Sequence, residues 1–227
     1  MWHSLSCSSH SFSTVDNILG CLAGHLIHMM GDSTLWQWWE YLRDTVPCEW
    51  HPEASGSTCP VSDRASDGSR NKSGHSDELA GTQLVPAHSL RTPVASLHSV
   101  VRELGGLARG SQTVVVLGLG THLTTFPPSI FVPRLARIRA AVAALLAREP
   151  RTLVVIKLAN TGYKSVYGSD WFTLQMNRLL GAGFADLCVA FVDAWEMTSM
   201  VLPNNIHPSQ LIVRNEVDFL LSLICPT

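Results

Sequence analysis

Four residues spread along this sequence have side chains suited to acyl transfer. Ser33 ends a Gly-Asp-Ser triplet directly after an apolar run, and His207 lies in a loop near the C-terminus. A serine hydroxyl is a weak nucleophile until a histidine within hydrogen-bond distance accepts its proton. An acid or a carbonyl group must in turn orient that histidine. Asp193 and Asn204 are the candidates for this third group, and we rank Asp193 above Asn204.

Three further residues that follow the middle apolar runs are candidates for the oxyanion and substrate side of such a site. Gly120 and His122 follow one run, and Asn160 follows the next. His122 is either an oxyanion-side donor or a structural histidine, and the residues leave both open. Ser33 is placed at the first turn of a helix, where backbone N–H groups and the helix dipole favour a developing oxyanion. The alternative for Ser33 is a plain N-cap, a role that serine often takes.

The elements that position these residues follow from alternating apolar runs and amphipathic stretches. We predict buried strands near residues 25–30, 113–118, 152–157 and 187–192. Helices are predicted between and after them, at residues 34–43, 94–107, 131–148, 169–180 (closed by Gly181) and 209–223. Such alternation implies parallel pairing with right-handed crossovers, which is an open doubly wound α/β sheet. Active sites in these sheets lie at the carboxyl ends of the strands.

Two segments fall outside this pattern. Residues 1–20 are rich in serine and aperiodic, so we predict an irregular N-terminal segment before a domain over 21–227. Residues 51–87 are mostly Ser, Gly, Asp and Pro, and burial of so few apolar groups cannot offset the entropy of ordering. We therefore predict a flexible hydrophilic insert there, in an interval where an α/β domain normally has a strand and a helix.

The composition excludes several classes of function. Of the 227 residues, 46% are hydrophobic and 15% are charged, with a net charge of −2, so a sizeable core is available. The basic residues are scattered, which argues against nucleic-acid binding. No apolar run approaches the roughly 20 residues of a membrane span, and the N-terminus lacks the pattern of a signal peptide. No C-x-x-C pair is present, so we predict no metal site.

The six cysteines leave the redox compartment open. Cys188 lies in an apolar run and is predicted to be a small core residue. Cys21 and Cys225 flank the domain, and the residues alone do not decide whether they form a disulfide.

Several motifs in order resemble one family. They are GDSTL at 31–35, QWWEYL at 37–42, LGLGTH at 117–122, VDAW at 192–195 and NIHP at 205–208, with an Ile-Cys pair near the end. Together they resemble the C-terminal esterase-like region of the neurexophilin and PC-esterase domain (NXPE) family. The resemblance covers about residues 20–48 and 90–227.

The resemblance implies an SGNH-hydrolase-like fold and a relation to enzymes that move acyl groups on glycans. It implies Ser33 as nucleophile and His207 as base in a glycan O-acyl esterase or O-acetyltransferase. No cofactor is expected, apart from an acetyl donor such as acetyl-CoA for a transferase. The partner would be a glycan or acylated carbohydrate, and the setting the secretory lumen or the outside of the cell. An oxidising lumen would favour pairing of Cys21 with Cys225.

The sequence departs from the family pattern at two positions. Trp36 stands where members usually carry arginine, and Asn204 stands where relatives place an aspartate three residues before the histidine. An amide can orient an imidazole but cannot offset its positive charge. Two alternatives to an enzyme therefore stay open, a non-catalytic secreted interaction module and a truncated inactive isoform. The oligomeric state is left open.

Overall fold

The computed structural model describes residues 11–46, 61–62, 99–107, 112–121, 124, 126–162, 169–201 and 206–226. This part of the chain contains seven helices and five strands. In chain order they are α1 (Val15–Leu22), β1 (Leu26–Gly31), α2 (Ser33–Thr45), β2 (Val61–Ser62), α3 (Val100–Gly106), β3 (Thr113–Gly118), α4 (Pro128–Arg148), β4 (Leu153–Lys157), α5 (Asp170–Phe184), β5 (Ala190–Val192), α6 (Ala194–Ser199) and α7 (Gln210–Ile224).

The five strands form one sheet in which every neighbouring pair is parallel. Their order is β2-β1-β3-β4-β5, which is the 2-1-3-4-5 order of a common doubly wound fold. The predicted α/β class is therefore confirmed. The strand order reverses between β1 and β3, so a crevice is expected at the carboxyl ends of these two strands.

Alternating side chains of the strands build a core on each face of the sheet. All six residues of β3 are buried, because helices cover both of its faces. Val114 and Val116 pack with α1, α2 and α7 on one face. Val115 and Leu117 point to the other face and pack with α3, α4 and α5. This two-sided burial explains why the strand sequences read as continuous apolar runs.

A disulfide joins the first and last helices. Cys21 in α1 and Cys225 after α7 are bonded, and their Cα atoms lie 5.8 Å apart. The pairing that the resemblance favoured is thus present in the structure. Cys188, by contrast, is exposed and free, so its predicted place in the core is wrong. β5 begins only at Ala190, and the chain before it lies at the surface.

The N-terminal boundary also differs from the prediction. Residues 1–20 were expected to be irregular, but α1 begins at Val15. Thr14 caps this helix, with its hydroxyl accepting the Asn17 N–H at 3.3 Å. Ile18 is buried against the sheet, so one apolar face is enough to order this short helix among serine-rich neighbours.

Two residues of the segment 51–87 belong to the sheet, so the prediction of a flexible insert over the whole segment is wrong at this point. Val61 and Ser62 pair with Ile27 and His28 of β1 and form the edge strand β2. An edge strand needs only one hydrogen-bonded neighbour, so two residues can join without an apolar sequence pattern. The rest of this segment lies outside the described residues.

Beyond shifts of up to three residues at the ends of other helices, α3, α5 and α6 differ from the prediction in extent or presence. α5 continues through Gly181 to Phe184, because burial of Leu180 and Phe184 outweighs the low helix propensity of glycine. α3 begins at Val100 rather than 94, and residues 94–98 lie outside the described part. The short helix α6 occupies what was predicted as a loop. Among the described helices, none combines the length and apolar character that crossing a bilayer requires.

Removing the disulfide is expected to destabilise the protein. A cross-link between residues 204 apart restricts the unfolded chain strongly. The double variant Cys21→Ala/Cys225→Ala should lose about 2–5 kcal/mol of unfolding free energy in urea titrations. Cys188→Ala is the matched control and should stay within about 0.5 kcal/mol of wild type, since its thiol is exposed and free. A double variant as stable as this control would contradict the expectation.

Candidate active site

Ser33 occupies the first position of α2, directly after β1. Asp32 has extended backbone angles and is the N-cap, so the alternative of Ser33 as a cap does not hold. The Asp32 carboxylate accepts the Thr34 N–H at 2.9 Å and the Thr34 hydroxyl at 2.6 Å. The N–H of Leu35 is bonded to the Asp32 carbonyl at 3.0 Å. The serine is therefore held by a firmly capped first turn at the carboxyl end of β1.

The histidine predicted from the sequence meets this serine. His207 Nε2 lies 2.8 Å from Ser33 Oγ, although the two residues are 174 positions apart. This is normal hydrogen-bond distance, and a neutral imidazole can accept the hydroxyl proton at that nitrogen. The predicted convergence of Ser33 and His207 is confirmed.

Two side-chain amides hold the backbone on either side of His207. Asn160 Nδ2 donates to the Ile206 carbonyl at 3.1 Å, and Gln37 Nε2 donates to the Pro208 carbonyl at 3.2 Å. Gln37 belongs to the same helix as Ser33. The imidazole is thereby positioned relative to the serine through the carbonyl groups of both neighbouring residues.

Asn160 was predicted to face the oxyanion, but the structure gives it a supporting contact. It is buried, and besides donating to Ile206 it accepts the Lys157 ammonium at Oδ1, 2.6 Å away. Both ends of the amide are engaged within the protein. The amide therefore links Lys157 to the residue that precedes His207.

Asp193 does not reach the histidine in this structure. It is exposed and caps α6, its carboxylate accepting the Glu196 N–H at 3.0 Å. A carboxylate at a helix N-terminus satisfies backbone N–H groups that would otherwise lack partners, which explains this orientation. Within the described ranges, no hydrogen bond joins Asp193 to His207. The other candidate for the third group, Asn204, lies outside the described residues, as does His122.

Gly120 stands where the exits of β3 and β4 approach most closely. A Cβ atom placed on it would overlap the Ala159 side chain and lie 3.3 Å from the Ala159 backbone nitrogen. Only glycine fits this approach without displacing the backbone. The next residue, Thr121, donates its N–H to Asp32 Oδ2 at 3.1 Å. The Asp32 carboxylate thus links α2 to the loop after β3.

A buried lysine and a buried glutamate both contact α2, the helix that carries the serine. The Lys157 ammonium donates to Thr34 Oγ1 at 3.2 Å and lies 5.5 Å from the centre of the Trp38 ring. The Trp38 indole N–H donates to Glu216 of α7. Burial raises the pKa of Glu216 above its ordinary value, while Lys157 and the Trp38 hydrogen bond oppose the rise.

Sequence reasoning missed Gln37, Lys157 and Glu216. Lys157 does carry a signal, because it is a single cation at the end of the apolar run LVVIK. Gln37 and Glu216 sit on amphipathic helices, where polar residues are common and periodicity does not distinguish a buried contact from a solvated one. Within the described part of the chain, no group of three or more His, Cys, Asp or Glu side chains is arranged to hold a metal ion.

The fold and this geometry define a class of protein. A parallel, doubly wound sheet with a hydrogen-bonded serine and histidine at the carboxyl ends of its strands is an SGNH-like α/β domain. The family model described as NXPE family member 4-like, C-terminal domain, matches residues 2–225. The chain therefore belongs to the NXPE family, and the match includes the segment that contributes β2. No solved structure matches the chain significantly.

Substituting Gly120 tests the close approach of the strand exits. Gly120→Ala should lower the unfolding free energy by about 1–3 kcal/mol, because the added methyl group overlaps Ala159. Gly181→Ala is the matched control, since it adds the same group inside α5 with no atom within 4 Å apart from its chain neighbours and the local backbone of its own helix. It should raise stability by about 0.5–1 kcal/mol. Denaturant titration measures both, and equal values would contradict the packing argument.

Substituting Glu216 tests its environment through pH. Because its pKa is raised in the folded state, the folded protein binds this proton more tightly than the unfolded chain does. The stability that this tighter proton binding contributes is fully present below the unfolded pKa of about 4.3. It is lost as the pH rises through the folded pKa. The unfolding free energy of wild type should therefore fall more steeply with pH above this point than that of Glu216→Gln. Urea titrations between pH 4 and 8 measure the slopes, and parallel slopes would contradict the assignment.

Proposed function

We propose that this domain acts on acyl esters of glycans through a Ser33 acyl-enzyme, as an O-acyl esterase or an O-acetyltransferase. The observation that carries the proposal is the 2.8 Å contact between Ser33 Oγ and His207 Nε2. Membership of the NXPE family supports the glycan as substrate class by its resemblance to PC-esterases. Fold alone does not determine function, so the proposal rests on the serine–histidine pair.

The first half-reaction transfers the acyl group to the serine. His207 Nε2 accepts the Ser33 proton while Oγ attacks the ester carbonyl carbon and forms a C–O bond. The bond to the leaving sugar oxygen then breaks, and the imidazolium returns the proton to that oxygen. In the second half-reaction, water or an acceptor hydroxyl gives its proton to His207 and attacks the acyl-serine; the bond between the acyl carbon and Ser33 Oγ then breaks, and the imidazolium returns the proton to Oγ. Water as the acceptor gives an esterase. In a transferase the acyl donor of the first half-reaction would be a compound such as acetyl-CoA, so the protonated leaving group is its thiol sulfur in place of the sugar oxygen, and a sugar hydroxyl is the acceptor.

The oxyanion donors in this proposal are backbone groups. The N–H groups of Thr34 and Leu35 are bonded to Asp32, so the N–H of Ser33 is the donor that α2 contributes. Gly120 supplies a second N–H from the neighbouring strand exit. The positive end of the α2 dipole favours the developing negative charge at the same place.

A secreted or luminal location fits the proposal. The Cys21–Cys225 disulfide is stable in an oxidising compartment and uncommon in the cytosol. Acylated glycans are also found on secreted and surface molecules, as the family resemblance implies.

A non-catalytic interaction module is the second candidate, and one observation favours it. The carboxylate of Asp193, ranked first as the triad acid, caps α6 instead. Loss of the acid from a serine triad lowers turnover by about 10⁴-fold. A domain without the triad acid would bind an acylated glycan at the same strand edge without turning it over.

Labelling by a fluorophosphonate probe decides between these candidates. We expect wild type to form a covalent adduct at Ser33, because only a serine activated by a base reacts with the probe. Ser33→Ala should abolish the adduct. Ser199→Ala is the matched control, since the Ser199 hydroxyl donates to a helix carbonyl, and it should label as wild type does. Mass spectrometry of the adduct gives the site.

Two further variants assign the third group in an ester-hydrolysis assay. Asp193→Ala should leave turnover within a few-fold of wild type and lower stability by about 0.5–2 kcal/mol, because a helix cap is lost. Asn204→Asp should raise turnover by up to about 10⁴-fold if the amide stands in the place of the acid. Absence of any Ser33 adduct in wild type and in Asn204→Asp would reject the acyl-enzyme and favour the interaction module.

A further inference from the structure

Lys157 is a buried cation next to the site that the acyl-transfer chemistry does not use. It ends β4, and 1% of its surface is exposed. Burial of an ammonium group costs several kcal/mol unless strong hydrogen bonds or opposite charges compensate. An apolar residue would avoid that cost at the end of an otherwise apolar strand. The contacts of the ammonium therefore indicate what it contributes.

One contact of the ammonium is to the helix that carries the serine. Nζ donates to Thr34 Oγ1 at 3.2 Å, and Thr34 is the residue after Ser33. The Thr34 hydroxyl in turn donates to the Asp32 N-cap at 2.6 Å. Four residues along α2, the Trp38 ring lies 5.5 Å from Nζ. Lys157 thus contacts the first two turns of α2 at two points on one helical face.

The other contact leads to the histidine. Nζ donates to Asn160 Oδ1 at 2.6 Å, and Asn160 Nδ2 donates to the carbonyl of Ile206 at 3.1 Å. Ile206 directly precedes His207 in the chain. An ammonium group is a donor only, so it requires the oxygen of the Asn160 amide on its side. The NH₂ group of Asn160 therefore faces the Ile206 carbonyl. The opposite orientation of the amide is disfavoured, because it would place the Asn160 oxygen against the Ile206 oxygen.

Glu216 is the acidic group that faces this cation. It lies on α7, the helix that begins after His207, and it is joined to Trp38 by the indole N–H. The charge of Lys157 is therefore met by groups on α2 and α7, the two helices that flank the serine–histidine pair.

We propose that Lys157 is a positioning residue that holds Ser33 and His207 at their working separation by binding Thr34 on one side and Asn160 on the other. The effect of Lys157 on the rate of reaction at Ser33 rests on the proposed function. Its effect on the placement of His207 rests on the structure alone. Displacement of a reacting group by about 1 Å can cost on the order of 10²-fold in rate. Loss of the ammonium frees both Thr34 and the Asn160 amide.

The variant Lys157→Met tests this in the full chain. Methionine fills a similar volume with no donor. We expect the rate constant of fluorophosphonate labelling at Ser33 to fall by about 10²-fold. We also expect the ¹⁵N shifts and the titration of His207 to change in ¹H–¹⁵N spectra of histidine-labelled protein, with His207→Gln used to assign its signals. Lys157→Arg retains the cation and should restore part of the labelling rate.

Asn177→Ala is the matched control for loss of a buried polar contact. Its amide holds the same strand exit by bonding the Ala159 N–H and carbonyl, both at 2.9 Å. No hydrogen bond among the described residues joins Asn177 to Lys157. We expect it to lower stability while the His207 signals keep their wild-type positions. The NMR measurement therefore separates positioning from general destabilisation.

The outcomes distinguish this proposal from the proposed function. Wild type that does not label rejects the acyl-enzyme, while the His207 spectra still decide the role of Lys157. If Lys157→Met folds and leaves both the His207 signals and the labelling rate as in wild type, the positioning role is wrong. If it does not fold, Asn160→Asp decides, since it keeps the acceptor for Lys157 and removes the donor to Ile206. Unchanged His207 signals in Asn160→Asp would overturn the proposal.

Discussion

The site depends on one carboxylate that bonds across the point where the strand order reverses. Asp32 caps α2 with one oxygen and binds the Thr121 N–H with the other. Because β1 and β3 diverge into helices on different faces, their exits would otherwise be connected only by the sheet. The carboxylate fixes the direction of α2, and that direction brings Ser33 to His207.

Around this contact, four hydrogen bonds of buried or half-buried polar side chains support the geometry of the serine–histidine pair. Asn160 and Gln37 bind the carbonyl groups of the residues beside His207, while Lys157 binds Asn160 and Thr34. Buried polar groups of this kind are costly when unpaired and rigid when paired. The arrangement therefore favours a single placement of the imidazole over a mobile one.

The strands were predictable from local patterns, whereas the contact between Ser33 and His207, 174 positions apart, was predictable from the order of the elements along the chain. Continuous apolar runs give buried parallel strands, and the order of the elements brings Ser33 and His207 to one edge. The role of Asp193 was not predictable, because a carboxylate after a strand can serve equally as a cap or as a triad acid. The edge strand at residues 61–62 was not predicted for a similar reason, because a strand of two residues has no periodicity to detect.

The disulfide has a consequence for the integrity of the chain after proteolysis. Ser33 and His207 both lie between Cys21 and Cys225, so the bond closes the intervening chain into a covalent ring. A single cleavage within that ring opens it but leaves the two halves of the site on one covalent molecule. Nicked and intact protein would then have the same mass apart from one water, and they would separate on a gel only after reduction.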